Sequence, residues 1–191
     1  MPSILLTGPA VEPVTLAEAK LFLRVEHDDD DDLIAALVAG SRIHVEAQTR
    51  RALITQSWRL TGDAWPANGR FFVLPVPLVS LVAARVYTSA TATQALDLSV
   101  FTVDKASAPA MLAFAAGALP VPGRRAAGIE VDITAGYGAA PGNVPEPLRQ
   151  AIRLLTAHWY ENRGLAAVGR SVAVLPASVD ALIAPYRVLS L

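Results

Sequence analysis

The acidic run at residues 27–32 is the stretch of this chain whose residue types could most readily bind a metal or do chemistry. One histidine is followed there by five consecutive aspartates. Hard divalent cations are bound by several carboxylate oxygens, so the run could form a metal site. It lacks the glycine and the final glutamate of an EF-hand loop. It also directly precedes an amphipathic helical pattern that ends in Arg50 and Arg51, and this charge distribution suits a helix dipole. We therefore interpret the run as the solvent-exposed start of a helix and predict no metal there.

The three histidines form no i,i+4 pair and no HExxH motif. His158 and Glu161 are spaced to share one helix face, but two ligands alone do not make a metal site. We predict that His158 is a partly buried helix residue. A metal-dependent enzyme that uses the acidic run and His158 remains an alternative.

Four carboxylates in or directly beside the predicted strands could meet as a general acid and base. Carboxylates at alternate strand positions more often form the solvent face of a sheet, and we favour that interpretation. Without cysteine there is no thiol nucleophile, and no GxSxG motif is present. By exclusion we predict a structural or interaction protein that is not an enzyme and needs no cofactor. The four carboxylates are Asp97, Asp104, Glu130 and Asp132.

Composition limits the remaining classes of protein. A chain of 191 residues fits one domain, and 53% hydrophobic with only 17% charged residues suggests large buried subunit contacts. No apolar stretch is long enough for a membrane span, and the first residues do not resemble a signal peptide. The lack of cysteine fits a cytoplasmic origin. A net charge of −1 argues against a general nucleic-acid binder. A DNA-binding module remains a second alternative, and its basic residues would be Arg50, Arg51, Arg124 and Arg125.

Residues 144–163 predict the central helix of the fold. Pro145 and Pro147 suit its first turn, Glu146 suits its positive dipole end, and Gly164 follows as a C-cap. Apolar residues recur at three- and four-residue spacing and form one stripe. The predicted core residues of this stripe are Leu148, Ile152, Leu155 and Trp159.

Three further helices are predicted around the central helix. Thr15 and Glu18 have the spacing of a capping box and begin a helix that ends near residue 25, with Phe22 on its apolar side. The second helix spans about residues 30–51, and a short third one spans about 175–184, ended by Pro185. We expect the first two helices to pack on the central helix.

Between these helices the hydrophobic period changes to two, which indicates strands. The predicted strands lie near residues 53–60, 71–74, 81–88, 98–103, 111–114 and 129–135. Residues 135–142 are rich in glycine but lack the lysine of a phosphate-binding loop, so we interpret them as a bend. The predicted fold class is α+β, a small helical bundle with an inserted antiparallel β region.

The order of short motifs along almost the whole chain resembles one known family. It resembles the head–tail connector proteins of long-tailed bacteriophages, also called adaptor or head-completion proteins, and the homologous adaptor of gene transfer agents. The motifs that carry the resemblance are Pro-x-Thr-Leu-x-Glu-Ala-Lys from Pro13, Arg-Ala-Leu-Ile-Thr-Gln-Ser-Trp from Arg51, Leu-Pro-Val-Pro-Leu from Leu74, Ala-Gly-Tyr-Gly from Ala135, Val-Pro-x-Pro-Leu from Val144, His-Trp-Tyr-Glu-Asn-Arg from His158, Leu-Pro from Leu175 and Pro-Tyr-Arg from Pro185.

The resemblance implies a structural role with no reaction and no cofactor. Such proteins form a ring beneath the portal, twelvefold in assembled particles, which extends the DNA channel and joins the DNA-filled head to the next connector ring, stopper or tail protein. It implies a homo-oligomer at the head–tail interface of a virion or gene transfer agent particle, made in the bacterial cytoplasm. DNA passes through the lumen without sequence-specific binding, and no membrane is involved.

The resemblance also implies a division of labour along residues 1–191, taken as a single connector domain. The helical core comprises residues 15–51 and 144–184, and the β insertion, about 53–135, is expected to form side-to-side ring contacts. The C-terminal tail, 182–191, is expected to bind the portal and to become ordered only on that partner. The implied portal-binding residues are Leu182, Pro185, Tyr186, Arg187, Val188, Leu189 and Leu191.

Overall fold

A computed structural model describes residues 1–162 and 176–189. The predicted α+β class is confirmed. The chain divides into two compact units. We call them the helical unit, Ala10–Ile54 with Gly138–Arg187, and the β unit, Met1–Pro9 with Thr55–Tyr137 and Val188–Leu191. Within the described residues, no helix is both long and apolar enough to cross a membrane.

The helical unit contains four α-helices, and its third helix is the central one. The helices are α1 (Leu16–Leu23), α2 (Asp31–Thr49), α3 (Glu146–Glu161) and α4 (Ala177–Ile183). Helix α3 packs on α1, α2 and α4, which confirms the predicted packing. The acidic first turn of α2 and the apolar stripe of α3 also lie where the sequence indicates.

The capping box that opens α1 is confirmed. The Thr15 hydroxyl accepts from the Glu18 amide at 3.2 Å, and the Thr15 amide donates to the Glu18 carboxylate at 2.8 Å. The predicted burial of Phe22 is wrong, since its side chain is 39% exposed. The eight-residue helix buries Ala19 and then leaves the helical conformation at Arg24, whose φ is 58°. Phe22 therefore lies at the edge of the buried side.

Helix α3 ends two residues earlier than the sequence suggests. The predicted end used Arg163 and Gly164, which lie outside the described residues. Asn162 is the C-cap instead, and both its backbone and side-chain amides donate to the His158 carbonyl, at 3.1 and 2.7 Å. A side chain that satisfies a carbonyl of the last turn lets the helix stop there.

Arginines connect the helices through ion pairs. Arg149 donates to the Pro13 carbonyl at 2.9 Å and pairs with Glu18 at 2.5 Å and Glu146 at 2.9 Å. Arg153 also pairs with Glu146. We call Glu18, Glu146, Arg149 and Arg153 the helix ion network. It joins the first turns of α1 and α3, which are distant in sequence.

The β unit contains two antiparallel sheets. The five-stranded sheet has the order β1-β2-β8-β4-β5, and the three-stranded sheet has the order β3-β7-β6. The strands are β1 (Ser3–Thr7), β2 (Gln56–Gly62), β3 (Arg70–Val73), β4 (Leu78–Tyr87), β5 (Thr93–Ala95), β6 (Thr102–Asp104), β7 (Ala110–Ala113) and β8 (Ile129–Ala135).

Alternation places two kinds of residue on the two faces of the five-stranded sheet. Directly opposite residues of neighbouring strands share a face. Leu60 pairs with Val131, which in turn pairs with Ala84, and all three are buried. The opposite face carries charged residues and is described below. Elsewhere in the unit, Trp65 lies within 5.6–6.3 Å of three phenylalanine rings, Phe71, Phe101 and Phe114.

Two parts of the β unit differ from the prediction. Residues 98–103 do not form one strand, because Asp97 accepts from the Ser99 amide at 2.9 Å and starts a 3₁₀ turn, Leu98–Val100. Strand β6 begins only at Thr102. Strands β1 and β5 both lie outside the strands predicted from the sequence, β1 before the first predicted helix and β5 between residues 88 and 98.

Candidate assembly surfaces

The charged face of the five-stranded sheet holds a compact set of ion pairs. Register places Arg59 opposite Asp132 and Arg85 opposite Glu130. Arg59 binds Asp132 through two nitrogens, at 2.7 and 3.0 Å. Arg85 binds Glu130 at 3.0 Å and Asp132 at 2.5 Å. We call these four residues the sheet ion network.

The arginines of the sheet ion network cover its carboxylates. The side chains of Glu130 and Asp132 are 11% and 12% exposed, whereas those of Arg59 and Arg85 are each 27% exposed. The hydrogen bond from Arg59 is the main cause that lowers the pKa of Asp132. A carboxylate held ionised in this way is a poor proton donor or acceptor at neutral pH. The arrangement is suited to fixing strand register.

The prediction that these strand carboxylates form a solvent face is wrong for Glu130 and Asp132, which are each 9% exposed as residues. Tyr87 adds a further partner, since its hydroxyl donates to Glu130 at 3.0 Å. The other two carboxylates cap turns: Asp97 caps the 3₁₀ turn, and Asp104 accepts from the Ala106 amide at 2.9 Å. The four carboxylates therefore serve three separate local structures, since Glu130 and Asp132 share the sheet ion network.

The acidic run is tied to α1 through a lysine. The Lys20 ammonium lies 2.5 Å from Asp28 and 2.6 Å from Asp31. Asp30 accepts from the Tyr160 hydroxyl of α3. Within residues 1–162 and 176–189, no three His, Asp or Glu side chains are grouped to hold a metal ion.

His158 and the predicted core residues lie on α3 as follows. Leu148, Ile152 and Leu155 are fully buried. Trp159 is half-buried, with its ring edge-on to His44 at 6.1 Å between centroids. The His158 ring nitrogen Nδ1 lies 3.3 Å from the Asn162 side-chain amide, and Glu161 is exposed.

Two of the four arginines of the DNA-binding alternative are engaged within the chain. Arg51 donates to the Tyr186 carbonyl at 2.6 Å, and its guanidinium lies 5.9 Å from the centre of the Tyr186 ring. Arg124 lies 3.8 Å over the Tyr87 ring and donates to two carbonyls of its own loop. Arg50 is the exposed C-cap of α2, and Arg125 is also exposed.

The C-terminal segment is anchored in part by its own chain. Arg51 holds Tyr186, and Arg187 pairs with Asp180 at 2.9 Å. Val188 is buried, at 6% exposure. These contacts differ from the expectation that the tail becomes ordered only on a partner. The difference arises because residues outside the tail, chiefly Arg51, bind it within its own chain.

The remaining residues of that segment differ in exposure. Leu182 is half-buried, Pro185 and Arg187 are exposed, and Leu189 is 80% exposed. Leu191 lies outside the described residues. Of the residues expected to bind the portal, Pro185, Arg187 and Leu189 therefore present most surface to a partner.

Strand β1 forms an apolar surface that the sequence analysis missed. Ile4, Leu5 and Leu6 are 53%, 47% and 45% exposed, and β1 lies at one end of the five-stranded sheet. The available signal was the first 11 residues, which are rich in apolar side chains and contain none that is charged. We call Ser3–Thr7 the β1 edge, together with the side of this strand that pairs with no other strand among the described residues.

These features together define an α+β assembly protein. Its buried charges fix internal structure, and its exposed apolar residues include those of the β1 edge and Leu189 near the C-terminus. The model of the phage gp6-like head-tail connector proteins matches residues 13–99 and 124–187, which is most of the chain. The chain belongs to this family, and the resemblance drawn from its motifs is confirmed.

Solved structures of gene transfer agent particles contain chains with the same fold. A chain in the neck of the empty particle, computed with C6 symmetry, is 24% identical with a TM-score of 0.84. A chain in the virion of the native particle is 23% identical, with a TM-score of 0.83. A chain in the native neck, computed with C12 symmetry, is 25% identical, with a TM-score of 0.78. Each match covers 100% of this chain and 97% of the other. No curated protein matches the chain.

Proposed function

We propose that this chain is the subunit of a ring that joins a DNA-filled head to the next connector ring, stopper or tail of a phage or gene transfer agent particle. The family match over most of the chain carries the proposal. The fold of chains in particle necks computed with C6 and C12 symmetry supports a ring, for which we propose twelve subunits. The proposal takes residues 1–191 as one connector domain, with the helical core, β insertion and tail defined above.

The charges of the chain suit a subunit beside which DNA passes without being bound. The net charge is −1, and in the sheet ion network two arginines are neutralised by two carboxylates. Affinity for the DNA backbone depends on free cations that displace counterions. Arginines already held by carboxylates contribute little to such binding, which supports a subunit that does not hold DNA tightly.

We assign portal binding to the C-terminal segment, 182–191, and chiefly to Pro185, Arg187 and Leu189. An apolar side chain that is 80% exposed, as Leu189 is, can fill a pocket of a partner. Arg51 fixes Tyr186 and thereby holds the segment that leads to Leu189. Preorganisation of this kind reduces the entropy lost on binding.

The experiment that tests this function measures co-sedimentation of the full chain with purified portal rings. We expect Leu189→Asp to weaken binding at least about tenfold. Leu21→Asp is the matched control, because Leu21 is a similarly exposed leucine, at 81%, on α1. A chain that stops after Ala184 should leave DNA-filled heads without tails. Equal portal binding by the wild-type chain and both the Leu189 and truncated variants would contradict the assignment.

A further inference from the structure

The β1 edge has hydrogen-bonding groups directed away from its own sheet. The Thr61 amide donates to the Pro2 carbonyl at 3.0 Å, so residues 2 and 61 form a hydrogen-bonded pair. Such pairs recur at every second residue of an antiparallel ladder. The pair of Ile4 with Arg59 is therefore hydrogen-bonded as well. Ser3 and Leu5 must then direct their amides and carbonyls to the open side.

Of the devices that usually protect an exposed strand, the β1 edge has a bulge between Leu5 and Thr7 but no charge and no proline within the strand. Natural edges are blocked by charged side chains, by proline within the strand, by bulges or by very short length. None of the first 11 side chains is charged, and β1 itself contains no proline. At the other end of the sheet, β5 is only three residues long and carries Thr93 and Gln94. The two edges of one sheet thus differ, and β1 is the longer and the more apolar of the two.

We propose that the β1 edge binds an extended segment of a second copy of this chain and so forms the side contact of the ring. This inference rests on the proposed function for the ring itself. A ring of more than two identical subunits requires each copy to contact the next through two different surfaces. Contacts between identical subunits are more apolar than other interfaces. DNA is not a suitable occupant, because the β1 edge has no cationic side chain to bind phosphates.

An antiparallel continuation of the sheet from β5 of one copy to β1 of the next does not fit a ring. All neighbouring strands of the five-stranded sheet are antiparallel, so β1 and β5 run in the same direction. Antiparallel pairing of β5 with β1 of the next copy would therefore reverse the strand direction from copy to copy. Neighbouring copies of a cyclic ring of many subunits are related by a small rotation, which cannot reverse a strand. We therefore place the partner of β1 outside the five-stranded sheet of the second copy.

A pair of proline variants separates edge pairing from folding. Leu5→Pro removes an amide that points to the open side, whereas Ile4→Pro removes one that bonds to β2. We expect Leu5→Pro to have the same thermal stability as Leu5→Ala. It should not form a complete ring of its own subunits on the portal. Native mass spectrometry measures this as the number of subunits bound per portal. Ile4→Pro should lower the thermal stability as well.

Cross-linking identifies the occupant directly, because the natural chain has no cysteine. Ser3→Cys, labelled with a benzophenone maleimide, is incorporated into rings on purified portals and irradiated. We expect a product of twice the chain mass whose cross-linked peptides come from two copies. Adding Leu5→Pro to Ser3→Cys should reduce its yield at least about tenfold, and adding Leu5→Ala should not.

The outcomes are separable from those of the proposed function. Leu5→Pro should still bind portal rings, at fewer copies, through its C-terminal segment. A cross-link to the portal or to a tail-side protein would overturn the proposal, as would full rings formed by Leu5→Pro. If Leu5→Pro fails to fold, the cross-linked peptides from Ser3→Cys alone decide which molecule occupies the β1 edge. If no chain binds portal rings, the proposed function fails, and the same cross-linking of the concentrated free chain still tests the contact between copies.

Discussion

The two ion networks of this protein differ in which partner is the more buried: the carboxylates in the sheet ion network and the arginines in the helix ion network. In the sheet ion network the carboxylates are 11% and 12% exposed beneath arginines at 27%. In the helix ion network Arg149 and Arg153 are each 14% exposed, and Glu18 and Glu146 are 37% and 62% exposed. Water replaces an exposed partner more readily than a largely buried one, and the arginines of the sheet ion network are less exposed than the glutamates of the helix ion network. The sheet ion network should therefore be the more sensitive of the two to the loss of its outer partner.

The largest effect is expected for Arg59→Leu. This change leaves the Asp132 carboxylate with Arg85 as its remaining cation, and we expect it to lower the free energy of unfolding by about 2–3 kcal/mol. Urea denaturation measures the loss. The double variant Arg59→Leu/Asp132→Leu should recover more than half of it, since it also removes the Asp132 charge, and Glu130 keeps Arg85 as its partner. A single-variant loss below about 1 kcal/mol would refute the predicted sensitivity of the sheet network.

An intermediate loss of stability is expected from a change at the capping box, which shares Glu18 with the helix ion network. Thr15→Ala removes the hydroxyl that accepts from the Glu18 amide. We expect a loss of about 1 kcal/mol in the free energy of unfolding. Thr15→Ser retains the hydroxyl and is the control. Equal losses for both variants would show that the methyl group, and not the cap, matters.

A smaller effect is expected for Glu146→Gln. Because the Glu146 side chain is 62% exposed, water can replace much of what it gives to Arg149 and Arg153. The expected loss is about 0.5 kcal/mol, and it should decrease further in high salt. Urea denaturation at two salt concentrations measures both. A loss as large as that of Arg59→Leu would remove the distinction between the networks.

The smallest effect concerns pH. The hydrogen bond from Arg153 is the main cause that lowers the pKa of Glu146 in the folded chain. The unfolded chain therefore binds more protons in the range just below the ordinary pKa of Glu, about 4.3. Stability from this group is complete above that range and is lost as the pH falls toward the folded pKa. Between about pH 5 and 3.5, Glu146→Gln should lose slightly less stability than the wild type. The free energy of unfolding is measured by chemical denaturation at each pH. The same change with pH for the variant and the wild type would contradict this prediction.

The helices were predictable because their signals are local. The capping box of Thr15 and Glu18 lies within four residues, and the stripe that includes Leu148 and Leu155 repeats at helical spacing. The end of α3 was missed because the Asn162 side chain satisfies the His158 carbonyl before the glycine is reached. Local alternatives of this kind shift an end by a turn or less.

The sheet was less predictable because its partners are distant. Arg59 and Asp132 are 73 residues apart, and only the register of β2 against β8 brings them together. Strand β1 was missed because Ile4, Leu5 and Leu6 are consecutive and show no alternation. The tail residues came from family resemblance, but the contact between Arg51 and Tyr186 depends on tertiary packing that no local pattern reports.

The positions of the helices and strands along the chain determine when each of the two units can finish folding during synthesis. Strand β1 is translated well before β8, the central strand of its sheet, which ends at Ala135. In the helical unit, α1 and α2 are translated well before α3, on which they pack. At about 5–20 residues per second, β1 precedes β8 by roughly 6–26 seconds. Neither unit can close on the ribosome until most of the chain has emerged. Mature subunits therefore arise only late in synthesis, and until then the apolar strand β1 lacks the centre of its sheet.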